Sequence, residues 1–254
     1  MTGAGRTMVM VPGYNEPPDH FDTLKRGRRG IPGLEAAGYT CVTFSAKNDR
    51  LRDRIDRFAA FLDDLERERP QDRITLLGYS LGGLVVRGFL LAYPEKAAHI
   101  SECIAIAPPN WGVLEASIPH LTRALRLPDE SLEDMGLDSD FMRWLNGTGG
   151  HWVDVAHGKP RWTLDREPRL VPPETRYLTI MGLIPRRGND NDGLVWADSA
   201  TLGGRVEARF ISDPHANHMN VIGHFDPVIF ALKGFWRNDR IWPQVVRAIL
   251  EFAA

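Results

Sequence analysis

Cysteine is scarce in this chain: Cys41 and Cys103 are the two among 254 residues, each inside an apolar run. Two thiols supply neither a disulfide framework nor the spacing of a zinc site, so both read as core residues. Long hydrophobic runs are missing as well. No apolar stretch approaches the roughly 18 residues needed to cross a bilayer, and the opening MTGAGRTMVMVPG lacks the charged-then-apolar layout of a signal peptide. The expectation from the sequence as given is a cytoplasmic protein with no transmembrane segment. Charge of one sign is not in excess either. Thirty-one Lys plus Arg stand against 33 Asp plus Glu, a net charge of -2, so no global field draws in a polyanion and nucleic acid is not an expected partner. The local basic run LKRGRRG at 24–30 reads as a solvated loop.

What is present fits one α/β domain over 1–254, because 43% hydrophobic and 25% charged residues leave ample apolar surface for a core. Short runs rich in Val, Ile and Leu recur at 7–11, 40–44, 74–77, 103–107, 177–181 and 207–211, separated by stretches of helical period. That alternation predicts about six strands in a mostly parallel sheet with helices between them. Between the second and third strands, Leu51, Ile55, Phe58, Leu62 and Leu65 recur every three or four residues, predicting an amphipathic helix that Pro70 stops. LGGLVVRGFLLAYP reads as a buried helix and WPQVVRAILEFAA as a last amphipathic one. The interval at about 113–175 breaks the rhythm and reads as an inserted cap of short helices and irregular chain.

The motif that carries chemistry is ITLLGYSLGG at 74–83, in which a strand runs into G-x-S-x-G and then a helix. This is the layout of a nucleophile elbow: Gly78 and Gly82 give room for a sharp turn, and Ser80 is expected to stand exposed at its tip. The helix that follows aims backbone N–H groups and positive dipole at negative charge forming nearby. A serine hydroxyl is a poor nucleophile until a base takes its proton, and the base needs an acid to hold its tautomer. The acid is expected after the strand RYLTIMG, where Asp190, Asp192 and Asp198 are candidates. A calcium loop is excluded there, because the EF-hand register places Gly188 and Ser199 at ligand positions. The base is expected after EARFI, where SDPHANHMNVIGH offers His215, His218 and His224. His215 and His218 could share a metal, but no third ligand stands at a recognisable spacing, so no metal is expected. Oxyanion donors are expected from the amide of Leu81 and from the turn after MVMVPG, at Tyr14 or Asn15.

Taken together, these residues resemble the α/β-hydrolase superfamily, and within it the bacterial lipases and esterases. GYSLGGLVVRGFL is similar to the lipase elbow and following helix, IAIAPPNWG to the segment ending T-P-x-x-G, NDGLVWADSA to the N-D-G-L-V stretch bearing the triad acid, and NHMNVIG to the segment bearing the triad histidine. DSDFMRWLNG is similar to a lid-region pattern. The resemblance implies Ser80 as nucleophile, Asp192 as acid and His218 as base, with His215 the fallback, Leu81 and Tyr14 as oxyanion donors, and no cofactor. It departs at Pro12-Gly13, where such lipases usually have His-Gly, and in lacking the two strands that usually come first. The implied activity is hydrolysis of a small-molecule or lipid ester through an acyl-enzyme. Thioesterase or acyltransferase chemistry would use the same triad, and a non-catalytic binding protein could use the same fold. Leu114, Ile118, Leu121 and Leu125, with Phe141, Trp144 and Leu145, are read either as an apolar lining over the serine, which would call for a substrate with an apolar part, or as residues docking short helices onto the core.

Overall fold

Alternating strand and helix patterns fold here into a central sheet with helices on both faces and a separate hairpin. The computed structural model describes residues 5–14, 31–44, 49–98, 100, 102–114, 130–155, 159–185, 190–218, 220–222 and 241–253. Its strands are β1 (Arg6–Val11), β2 (Tyr39–Thr43), β3 (Arg73–Tyr79), β4 (Glu102–Ile106), β5 (Gly150–Val155), β6 (Lys159–Leu164), β7 (Arg176–Leu183) and β8 (Glu207–Ser212). Six of them, the six read from the sequence, make one sheet in the order β2-β1-β3-β4-β7-β8. Every neighbouring pair is parallel. The inner strands β1, β3, β4 and β7 are covered on both faces and therefore read as mostly apolar runs, with Thr7, Thr75, Glu102 and Thr179 the buried polar members.

Side chains alternate across the sheet, which splits the core in two. Val9, Val11, Ile74 and Leu76 face α2 (Leu51–Glu68) and α3 (Leu81–Ala92). Met8, Met10, Leu77 and Tyr79 face the other way, toward the C-terminal helix Ile241–Phe252. Helix α2 presents Leu51, Ile55, Phe58, Leu62 and Leu65, all buried, each contributing about 1.5–3 kcal/mol. Two short helices, α1 (Ile31–Ala36) before β2 and α4 (Pro94–Ala97) before β4, complete this part of the chain; α1 contributes Leu34 to the second core, and the sequence pattern did not reveal it. Cys103 is buried in β4 and Cys41 half-buried in β2, and both are free thiols.

The interval between β4 and β7 differs from the expectation of short helices and irregular chain. It contains α5 (Glu130–Asp134) and α6 (Asp140–Asn146), but GHWVDV and KPRWTL form the antiparallel hairpin β5–β6, paired at Trp152↔Trp162. The two indoles meet edge to face at 5.6 Å, a cross-strand aromatic pair that the Pro, Gly and His around it obscured. Helix α6 is capped by the Ser139 side chain, which accepts from the Met142 amide at 3.1 Å, and ends at Gly147 in the left-handed region. Phe141 and Leu145 are buried in the core shared with α2 and α3, and Arg52 stacks on Trp144. These residues dock α6 onto the body. Leu114 is exposed; Ile118, Leu121, Leu125 and the run 24–30 lie outside the described residues.

Arg87 ties this interval to the sheet and its helices. Its side chain is wholly buried in α3 and donates to Leu145 O (3.2 Å), Arg169 O (2.7 Å), Asn146 Oδ1 (3.0 Å) and Asn110 Oδ1 (3.4 Å). Burial lowers its guanidinium to about 10, so it still carries its charge at neutral pH. Asn110 extends the network by donating to Ala200 O at 2.9 Å. No helix among the described residues is long and apolar enough to cross a membrane.

Candidate active site

Because all six strands of the sheet are parallel, the loops that leave their C-terminal ends share one edge. Strand order reverses between β1 and β3: the chain passes from β1 outward to β2, then returns to the far side of β1 for β3, β4, β7 and β8. Loops on either side of such a reversal diverge and leave a crevice at the carboxyl edge. Ser80 leaves β3 there, the turn through Gly13 and Tyr14 leaves β1, the loop containing Asp192 follows β7, and the loop containing His218 follows β8.

Ser80 has φ 50 and ψ -118, a conformation that costs a residue with a side chain about 1–3 kcal/mol. Two backbone hydrogen bonds lock it: its N–H donates to Ile106 O at 2.8 Å, and its C=O accepts from Gly83 N at 2.9 Å. The flanking glycines are required by close approach. A Cβ on Gly78 would stand 2.5 Å from Gly82 O, and a Cβ on Gly82 would stand 2.7 Å from Pro12 O and closer still to Val11 O. The turn is thus wedged between α3 and the end of β1. The serine is not exposed as expected. It is 8% accessible, with an imidazole nitrogen 2.9 Å from its hydroxyl.

The acid loop is a tight turn written by its sequence. Asn191 and Trp196 pair across it, Gly193 takes φ 97, and the Asn191 side chain accepts from Gly193 N at 2.9 Å. That turn points the Leu194 and Val195 amides at Asp192 Oδ1, at 3.0 and 2.8 Å, while Oδ2 faces His218 Nδ1 at 2.8 Å. Asp192 is completely buried, and these donors replace the water its carboxylate has lost. A carboxylate only accepts, so Nδ1 carries the imidazole hydrogen and Nε2 is left with a lone pair. Ser80 Oγ lies 2.9 Å from that Nε2 and donates to it. A hydroxyl in a strained turn, an imidazole of fixed tautomer and a buried carboxylate make one continuous chain, and α3 starts beside it with its positive end toward the serine.

The match to a family model runs over residues 8–254 and is to the α/β hydrolase family. The chain belongs to the α/β-hydrolase family. Its sheet order and elbow are those of an α/β hydrolase, and solved structures share the fold at low identity. A metagenomic carboxyl esterase is 19% identical with a TM-score of 0.64, over 96% of this chain and 75% of the other. The mature lipase BlEst2 of Bacillus licheniformis is 16% identical with a TM-score of 0.64, over 90% and 91%. A putative non-heme bromoperoxidase of Mycobacterium tuberculosis, BpoC, is 16% identical with a TM-score of 0.51, over 99% and 93%. Such neighbours show the α/β-hydrolase fold, which hosts more than one chemistry. Among curated proteins none matches the sequence.

The other candidates are placed apart from the serine's chain of contacts. Asp190 accepts from the Asn191 side chain at 2.7 Å, and Asp198 pairs with Arg161 at 2.7 Å. His215 is exposed, its amide donating to Asp213 Oδ1, and His224 and Asn15 lie outside the described residues. Tyr14 follows β1 and Leu81 opens α3, flanking the crevice. Among the described residues no cluster of three His, Cys, Asp or Glu is placed to hold a metal ion. Sequence reasoning missed Arg87 and Tyr79; an arginine in an otherwise apolar helix was the one available signal for the former.

Proposed function

We propose that this α/β hydrolase is a serine carboxylic-ester hydrolase of the lipase and esterase type, acting through an acyl-enzyme. The observation that supports it best is the unbroken relay from Ser80 Oγ through His218 to the buried Asp192 carboxylate, at 2.9 and 2.8 Å. Ser80 Oγ attacks the ester carbonyl carbon while its proton passes to His218 Nε2, and Asp192 balances the imidazolium that results. The tetrahedral oxyanion takes hydrogen bonds from the Leu81 and Tyr14 amides. When it collapses, the alkoxide leaves with the proton from Nε2, and Ser80 keeps the acyl group. A water then gives its proton to Nε2, attacks the acyl carbonyl and releases the acid, restoring the Ser80 hydroxyl. No cofactor enters any step. The same reading takes 1–254 as one hydrolase domain with 113–175 as an insertion.

Histidine choice tests it. Turnover of 4-nitrophenyl butyrate is expected to fall by several orders of magnitude in His218→Ala and much less in His215→Ala. The reverse ranking would remove His218 from the role of base.

A further inference from the structure

The base sits in a loop and not in a strand or helix, so no regular ladder of hydrogen bonds fixes it. His218 follows β8 by six residues, and four described hydrogen bonds hold it. Its N–H donates to Asp192 O at 3.0 Å and its Nδ1 faces Asp192 Oδ2 at 2.8 Å. Its C=O accepts from the Tyr79 hydroxyl at 3.0 Å and its Nε2 faces Ser80 Oγ at 2.9 Å. The acid therefore holds both main chain and ring from one side. Tyr79 at the end of β3 and Ser80 just after it do the same, one holding the main chain and the other the ring.

The geometry points to Tyr79 as a positioning residue for the base: its phenol fixes the His218 peptide so that Nε2 stays in line with the Ser80 hydroxyl. This rests on the reading of Ser80, His218 and Asp192 as a catalytic triad. Residues alternate across β3, so Gly78 faces α3 while Tyr79 points to the opposite side of the sheet, beneath the loop carrying His218. Tyr79 is 1% accessible, and its ring lies 5.4 Å from the imidazole at a 36° tilt. The strained turn at Ser80 then swings the next side chain toward the same imidazole from above the strand end. Without the phenol oxygen, the buried carbonyl of His218 loses this donor, and the peptide is free to rotate and take Nε2 off line. Tyr79 touches none of the reacting atoms, so the effect falls on turnover and not on substrate binding.

Tyr79→Phe removes one oxygen and keeps the ring, and Tyr177→Phe removes a phenol of equal size buried on the opposite face of the sheet. With 4-nitrophenyl butyrate, Tyr79→Phe is expected to lower kcat about tenfold with KM within about twofold of the native value, and Tyr177→Phe to leave both unchanged. Thermal melts of both variants separate turnover from stability. A native kcat in Tyr79→Phe, a change confined to KM, or an equal loss of kcat in Tyr177→Phe would overturn the assignment. Ser80→Ala in the same assay keeps the two levels apart. If Ser80→Ala retains native turnover, the triad itself fails; if it is inactive while Tyr79→Phe is native, only the role of Tyr79 fails.

Discussion

Gly82→Ala puts the elbow itself to the test. An added Cβ would stand 2.7 Å from Pro12 O and from Val11 C, whereas ordinary contact begins at 3.4 Å, so the N-terminus of α3 and the end of β1 must part by at least about 0.7 Å. Both neighbours are backbone, one in a sheet paired on both sides and one in a helix buried from Leu81 to Leu90, so neither yields as a flexible side chain would. Overpacking of this kind costs about 1–3 kcal/mol. In a domain of this size each kcal/mol lowers Tm by about 2–4 °C, so the melt is expected to drop by roughly 2–12 °C. The displaced atoms include the peptides beside Ser80 and the start of the turn carrying the Tyr14 amide, and a misplacement near 1 Å at a site of this kind costs about 10² in rate. Scanning calorimetry and 4-nitrophenyl butyrate hydrolysis measure the two effects. Gly33→Ala is the control, because its Cβ meets only the tip of Val246 at 3.2 Å. Native Tm and native kcat/KM in Gly82→Ala would refute the argument that close approach dictates this glycine.

Three further outcomes follow from the same structure. Asp192→Asn keeps the shape but offers an NH2 group to Nδ1, which drives the imidazole hydrogen onto Nε2; kcat is expected to fall by on the order of 10³–10⁴ with the melt little changed, and a loss below about tenfold would contradict the tautomer argument. Arg87→Met leaves Leu145 O, Arg169 O and Asn146 Oδ1 without this donor, an expected loss on the order of 3 kcal/mol seen as a melt lowered by roughly 6–12 °C. A Tm within about 2 °C of native would show that the network ties nothing. Burial pushes the Cys103 thiol well above its ordinary pKa, so at about pH 8 it stays neutral and unreactive. A Cys41→Ser variant is expected to give no reaction with a disulfide reagent when native and one thiol in guanidinium chloride; prompt native labelling would place Cys103 at the surface.

The sheet was legible because parallel strands buried on both faces are mostly apolar, and ITLL, CIAIA and YLTIM are short, rich in branched residues and set between stretches of helical period. Helix α2 was legible from five apolar residues on one face. The hairpin β5–β6 was not, since Gly150, His151 and Pro160 suppress the alternation and its stability comes from a Trp152–Trp162 contact between residues ten apart. At the site, strand, G-x-S-x-G and helix marked Ser80 locally. Asp192 and His218 were different: residue type and position left three aspartates and three histidines, and only the resemblance chose among them. What separates Asp192 from Asp190 is a tight turn that aims two amides at its carboxylate, a property of backbone conformation. Two further features depend on packing that the sequence does not display. Ser80 is 8% accessible where an exposed tip was expected, and of the two readings of Phe141 and Leu145 docking is the one found, because α6 turns that face to α2 and α3.

The relay through Ser80 is tested most directly by mass. After exposure to a fluorophosphonate, the native chain is expected to gain one phosphonyl group, mapped by peptide sequencing to Ser80, while Ser80→Ala gains none. An adduct on any other residue, or equal labelling of Ser80→Ala, would contradict the account.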